Sequence, residues 1–484
     1  MRKWTCALLL LISVPGPGRS TPAETAWPTW GQNARHTFNS PYPVHDQLDR
    51  ERWRHTLLGG AYRGSCVIGN LGQVVFASID GVIQGLRFDG RYLWSYAASN
   101  SIVTTPTITS DGLVIVTGTD GCIHAVDERD GQVAWVHCTS GSGIVTDPVL
   151  TPTGQIITMD EVGVVRSTSS VGGSLWDADL ETAVGTCTPT VHPDGSIWVG
   201  TLDPAKGLVR ISAAGVITDE FILPSDETVS ASPAILQNGT VIIGTRQGTV
   251  YAMDEFGDIL WAATLGGEIL RGLSVGHGLV AVGSTDFNLY ALDVYTGTVL
   301  WSRDVAGPIE APPTMDGDGI IFVGPISGEI RSYYPDGTLK DQVAQGVFHG
   351  PLTVGGDGSL YGTIDWSVWG RDRGGPSVVL RPDFEVFGRG DLLEVSARIT
   401  NPAPTRAIVD AKAWLEAPDR TVVKAFTIHG INIPAGTDAW VPVFSHQFSD
   451  DDPYGTYPLR GIILDPATGA SIAQKAATVH LRDP

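Results

Sequence analysis

Pro106-Thr-Ile-Thr-Ser-Asp-Gly112, Leu113-Val-Ile-Val-Thr-Gly-Thr-Asp-Gly121, Cys122-Ile-His-Ala-Val-Asp127 and Gly131-Gln-Val-Ala-Trp135 follow one another along the chain. Each piece joins a short run rich in β-branched residues to a Gly or Asp turn, so together they read as four short strands. The same text returns at Pro233, Gly239, Tyr251-Ala-Met-Asp254, Gly257 and Trp261, and again at Gly278, Tyr290-Ala-Leu-Asp293, Gly297 and Trp301. A fixed internal period of this length marks a repeat architecture in which each unit buries its faces against its neighbours.

Two markers count the units. Gly72, Gly112, Gly154, Gly195, Gly239, Gly278, Gly319 and Gly358 are spaced 39 to 44 residues apart. Trp53, Trp94, Trp135, Trp176, Asp219, Trp261, Trp301 and Asp341 are spaced 40 to 43 apart. Both series have eight members but they are out of phase: Trp53 precedes the first complete unit, and the last unit lacks a fourth-strand Trp. That offset is what a ring needs, because a strand at Trp53-Arg-His-Thr-Leu can complete the eighth blade and remove the free edges. The expected fold is all-β: an eight-bladed β-propeller over 50–376 around a central channel, with the Trp residues packed between neighbouring blades.

The repeat resembles that of pyrroloquinoline-quinone-type propellers, whose blades end in Ala-x-Asp-x-x-x-Gly-x-x-x-Trp. Here it stands as Ala125-Val-Asp127, Gly131 and Trp135, and as Ala291-Leu-Asp293, Gly297 and Trp301. Trp27-Pro-Thr-Trp-Gly-Gln-Asn-Ala-Arg-His-Thr37, within the segment 24–49, is similar to the stretch that precedes such propellers. The resemblance implies one of two functions: a quinoprotein dehydrogenase using the quinone with calcium, or an inert scaffold like the propeller lipoprotein of outer-membrane assembly. Many of the dehydrogenases carry an adjacent Cys-Cys pair, whereas no two cysteines are adjacent here.

Residues 1–23 resemble a secretory signal: Arg2 and Lys3, the apolar run Ala7–Val14, then Thr21-Pro22-Ala23. That run is too short to span a membrane, and no later segment is apolar for long enough. A periplasmic, secreted or cell-surface protein is expected. The net charge of −21, from 31 basic and 52 acidic residues, disfavours nucleic acid and anionic membrane surfaces as partners.

After Gly374-Gly-Pro376 the period stops. Residues 377–484 alternate in short runs such as Leu392–Thr400 and Ala411–Glu416, about seven strands in all, which fits an immunoglobulin-like β-sandwich without a core disulfide.

Constellations for catalysis are absent from the text: no nucleophile elbow, no His-Glu-x-x-His and no phosphate-cradling loop. No CxxC pair supports zinc, and Asp316-Gly-Asp318-Gly reads as a plain turn. No metal and no cofactor are expected for a scaffold. Cys122 and Cys138 flank a turn centred near Asp130, so strand pairing sets them opposite each other, at about 4.5–5.5 Å between Cα atoms, within reach of a disulfide. Cys66 and Cys187 fall on blades one and four and should stay unpaired.

One sector of the channel mouth stands out. Counting two or three residues back from the start of each inner strand gives mostly small or uncharged residues. The exceptions are Arg271, Glu310, His349 and Arg63, on blades six, seven, eight and one. Such a cluster is either a structural ion-pair network or a site for an anion or carboxylate, since two guanidinium forks converge there. The function expected is that of an exported, non-catalytic binding or scaffold protein with a protein or extracellular ligand. A quinone-dependent dehydrogenase and a surface adhesin or polysaccharide-binding protein are the alternatives.

Overall fold

Each blade is bolted to the next by the residues that made the repeat visible. In the computed structural model, residues 27–481 are described apart from position 43, 45–50, 58–63, 88–89, 345–349, 357, 365–366, 372–376, 383–385, 388–391, 402–406, 419–421, 434–436, 465–470 and a few single or paired positions. Residues 1–23, expected to be a secretory signal, and Gly374-Gly-Pro376 fall outside the described residues.

Eight antiparallel four-stranded sheets follow one another. Blade one consists of Val67–Ile68, Val74–Ala77, Val82–Leu86 and Tyr92–Ala97. Blade two consists of Thr107–Ile108, Leu113–Thr117, Cys122–Asp127 and Val133–Cys138. Blades three to seven span 149–179, 190–221, 234–264, 274–304 and 314–344. In blade eight, Thr353–Val354, Leu360–Ile364 and Ser367–Arg371 take their fourth strand, Glu51–Thr56, from the front of the chain, in the register Trp53↔Gly370 and Thr56↔Ser367.

The Ala of the repeat has a steric cause. Each fourth-strand Trp faces a small residue on the third strand: Gly85↔Trp94, Ala125↔Trp135, Ser167↔Trp176, Ala252↔Trp261 and Ala291↔Trp301. The indole ring lies across that position, and a Cβ at Gly370 would meet Trp53 at 2.8 Å. The Gly of the repeat has a second cause. Gly131 has φ +74°, and a Cβ there would come within 2.9 Å of Trp94 of the preceding blade. The same joint sets Gly172 under Trp135, Gly215 under Trp176, Gly297 under Trp261 and, across the closure, Gly90 under Trp53. Indole N–H groups donate to backbone of the next blade: Trp135 to Ser170 O at 3.1 Å, Trp261 to Val294 O at 3.0 Å and Trp301 to Pro335 O at 2.8 Å. In blade four, Asp219 instead faces Arg210, 3.8 Å away, and Phe221 takes over the joint, stacked on Trp198 at 5.1 Å and lying over Gly257.

The segment 27–44 runs along the inner strands. Carbonyls of Trp27, Pro28, Ala34, Arg35, Thr37 and Phe38 accept from Ile68, Ile108, Val191, Ile235, Val275 and Met315, one on each of six blades, at 2.8–2.9 Å. Val44 N donates to the Asp316 carboxylate at 2.7 Å. That carboxylate also accepts from Asp318 and Ile320, which makes Asp316-Gly-Asp318-Gly a turn that ties down the segment. Trp27, Trp30 and Phe38 are buried in a core shared with blades one, seven and eight.

After the last blade, Ser377–Pro382, Leu392–Asn401 and Thr437–Gln447 form one sheet. Val386–Phe387, Ser471–Leu481, Gly455–Leu464, Ala407–Glu416 and Val422–Ile433 form another, in that order. Leu393 and Val395 of the first share a core with Leu415, Tyr457 and Leu459 of the second. The eight strands are one more than the turn spacing implied, because the two-residue strand Val386–Phe387 is too short to show a period. No helix among the described residues is long and apolar enough to cross a membrane, which says nothing of β-barrels.

Candidate binding site at the channel axis

Arg271 opens blade six with a left-handed φ of +62°. Its backbone is held by Ser230 O, which accepts from Arg271 N, and by Ser232 N, which donates to Arg271 O. This fixes the side chain at the axis, where it is 9% exposed and its guanidinium carbon lies 4.8 Å from the centroid of the Trp30 ring. A cation held over an indole face is stabilised by the ring quadrupole, the more so when desolvated.

The buried carboxyl that feels this charge is Asp147, 4% exposed just before the first strand of blade three. Burial raises its carboxyl above the ordinary carboxylate range, and the Arg271 charge opposes that shift. Thr105 N donates to one of its oxygens and Thr188 Oγ1 to the other, the latter at 2.9 Å. His36, in the axial segment, donates from Nδ1 to Thr190 Oγ1 at 2.9 Å, because that hydroxyl gives its own proton to Pro233 O. Burial lowers the His36 ring to about 3, so the imidazole is neutral and Nε2 carries a lone pair.

Of the four residues singled out in the sequence, Arg271 thus packs on Trp30, and its charge acts on Asp147. Glu310 is half-buried at the start of blade seven. Arg63 and His349 lie outside the described residues. Asp147 stands one residue before the inner-strand Pro, outside the positions two and three before it that define the mouth cluster in the sequence. The signal was nonetheless present: the preceding residues include Ser65, Thr105, Asp147, Thr188 and Ser232, and these hydroxyls link blades, Ser65 N donating to Thr105 Oγ1 at 3.0 Å and Thr188 N to Ser232 Oγ at 2.9 Å. Asp147 is the ionisable member of that series. Trp30 and His36 were invisible as axial residues, since nothing periodic marks their segment.

Arg271 is part of the axial packing, so its loss has a structural cost. Arg271→Ala should destabilise the propeller by about 2 kcal/mol, because the desolvated cation–π contact with Trp30 is lost and the buried Asp147 carboxyl loses a favourable charge. The urea midpoints of Arg271→Ala, Asp147→Ala and the double variant measure this, with the double expected to lose less than the sum of the singles.

Cys122 and Cys138 are joined by a disulfide in the register Cys122↔Cys138, with Cα atoms 4.0 Å apart. Cys66 and Cys187 are free and buried, and burial pushes both thiols up to about 12, out of reach of thiolate chemistry at neutral pH.

A family model described as outer membrane protein assembly factor BamB matches residues 44–186 and 161–344. The chain is 25% identical over 201 residues to the BamB of Nitrosomonas eutropha, covering 41% of this chain and 46% of that one. It is 26% identical over 167 residues to the BamB of Bordetella pertussis, covering 34% and 40%. It therefore spans less than half the length of these curated relatives. Among solved structures, BamB from Moraxella catarrhalis superposes with a TM-score of 0.56 at 18% identity, over 67% of this chain and 97% of that one. A quinohemoprotein alcohol dehydrogenase from Comamonas testosteroni superposes at 0.56 with 14% identity, over 71% and 80%. Likeness at these identities concerns the fold alone. With the family model covering most of the propeller, the chain belongs to the family of the outer membrane protein assembly factor BamB.

Proposed function

We propose that this protein is a non-catalytic binding scaffold of the bacterial cell envelope, periplasmic or at the cell surface. Its propeller presents a surface to a protein or small anionic partner, and components of outer-membrane assembly are the partner class that the family membership favours. The C-terminal sandwich, read as immunoglobulin-like, offers a second contact. Tyr457 supports that type: its buried hydroxyl donates to Pro453 O at 2.6 Å, four residues upstream. An anionic group of the partner would dock at the mouth sector of Arg63, Glu310 and His349, beside the buried Arg271.

The observation that carries the non-catalytic reading is the engagement of the axial ionisable groups within the fold. Arg271 is held on Trp30, Asp147 is held by Thr105 and Thr188, and His36 is buried with its ring lowered to about 3. A general acid or base works best with a value near the operating pH and a path to substrate, and His36 has neither. A dehydrogenase would place pyrroloquinoline quinone with calcium at this axis, and the test is direct. Incubated with both and then desalted, the protein should retain no quinone absorbance and should reduce no dye with alcohols or sugars. Retained quinone with dye reduction overturns the scaffold reading. Affinity capture from envelope extract should retain outer-membrane assembly proteins, whereas retention of glycans alone would favour the polysaccharide-binding alternative.

A further inference from the structure

At the edge of blade two that faces blade one, Asp120, Cys122 and His124 bring one carboxylate oxygen, one sulfur and one ring nitrogen within 4.8 Å of one another. Strand alternation puts Cys122 and His124 on the same face, and Asp120 enters from the turn that precedes them. Cys138 lies opposite Cys122 on the neighbouring strand, and its sulfur, bonded to that of Cys122, adjoins this group.

Three further features point to a ligand. His124 is 2% exposed and its Nε2 has no hydrogen-bond partner, although it lies 3.8 Å from Asp120 Oδ2. Its other ring nitrogen, Nδ1, is engaged by the Tyr96 hydroxyl at 3.0 Å, from the outer strand of blade one. This is the arrangement that orients a metal-binding imidazole: one nitrogen tied to an outer partner, the other presented. Asp120 Oδ1 accepts from Cys122 N at 3.0 Å, which fixes the carboxylate and leaves Oδ2 toward His124.

While the sulfurs are bonded to each other, neither is a thiolate, and only thiolates bind metal strongly. We propose that reduction of the Cys122–Cys138 disulfide converts this edge of blade two into a zinc-type site, with Cys122 and Cys138 thiolates, His124 Nε2 and an Asp120 oxygen as ligands. Two sulfurs, one nitrogen and one oxygen suit the tetrahedral preference of a d10 ion.

The redox step balances with a dithiol as reductant. Its thiolate attacks the sulfur of the exposed Cys138, a new S–S bond forms, and the Cys122–Cys138 bond breaks with Cys122 leaving as thiolate. The second thiol of the reductant then displaces Cys138, so the reductant ends as a disulfide and two electrons and two protons pass to the protein. Metal binding releases the thiol protons and leaves the thiolates coordinated.

Co2+ is the probe. The full chain, reduced with dithiothreitol and freed of it by gel filtration under argon, should bind one Co2+ with tetrahedral visible bands and a thiolate-to-metal charge-transfer band. The oxidised chain should show neither. His124→Ala and Tyr96→Phe leave the disulfide in place; the first should abolish the tetrahedral spectrum and the second should weaken binding about 10-fold. Zn2+ should raise the melting temperature of the reduced chain and not of the oxidised one. A reduced chain that shows no charge-transfer band, or one whose band is unchanged in His124→Ala, overturns the proposal.

Discussion

A chain that begins at residue 45 should no longer give a cooperative native melt. Six inner-strand N–H groups, those of Ile68, Ile108, Val191, Ile235, Val275 and Met315, would lose their acceptors, at about 1 kcal/mol apiece. Trp27, Trp30 and Phe38 would leave the core they share with blades one, seven and eight, and Arg271 would lose the ring beneath it. Losses of that order rival the whole stability of a domain, roughly 5–15 kcal/mol. Near-UV circular dichroism and a thermal melt of the shortened chain check this. A melt within a few degrees of the full chain's would show that the segment only decorates the axis.

Trp261→Ala should strongly destabilise the propeller at its inter-blade joint. The indole is 9% exposed, lies over Gly297 of the next blade and donates to Val294 O at 3.0 Å. Truncation of a buried Trp costs about 3–5 kcal/mol. Trp261→Phe keeps most of the packing but leaves the Val294 carbonyl without its donor, a loss of about 1–2 kcal/mol. Trp176→Ala should cost less than Trp261→Ala, because the Trp176 hydrogen bond to Ala213 O faces solvent. Urea midpoints of the three variants give the ranking, and an equal loss for Trp176 and Trp261 would contradict it.

These joints explain why the fold was readable. Trp, the small residue facing it and the Gly of the next blade are side-chain requirements that recur at each joint, so they repeat in the text. Blade four shows the limit of that reading: Asp219 interrupts the Trp series, and only the packed blades show that Arg210 pairs with it while Phe221 moves onto Gly257.

The sequence by itself determined the eight-fold period, the strand that closes the ring and the register that sets Cys122 opposite Cys138. All three depend on local turn geometry and on side chains that each unit must supply. Tertiary structure alone decided what lies on the axis. The segment 27–44 binds the blades largely through its backbone carbonyls, which any residue possesses, so its residue types, although similar to those that precede such propellers, do not show where it runs. Arg271 and Asp147 are 124 positions apart and come within electrostatic reach only because curvature brings blades three and six to one axis. The grouping of Asp120 and His124 with the cysteine pair depended in the same way on knowing which strand face turns toward blade one, where Tyr96 reaches across.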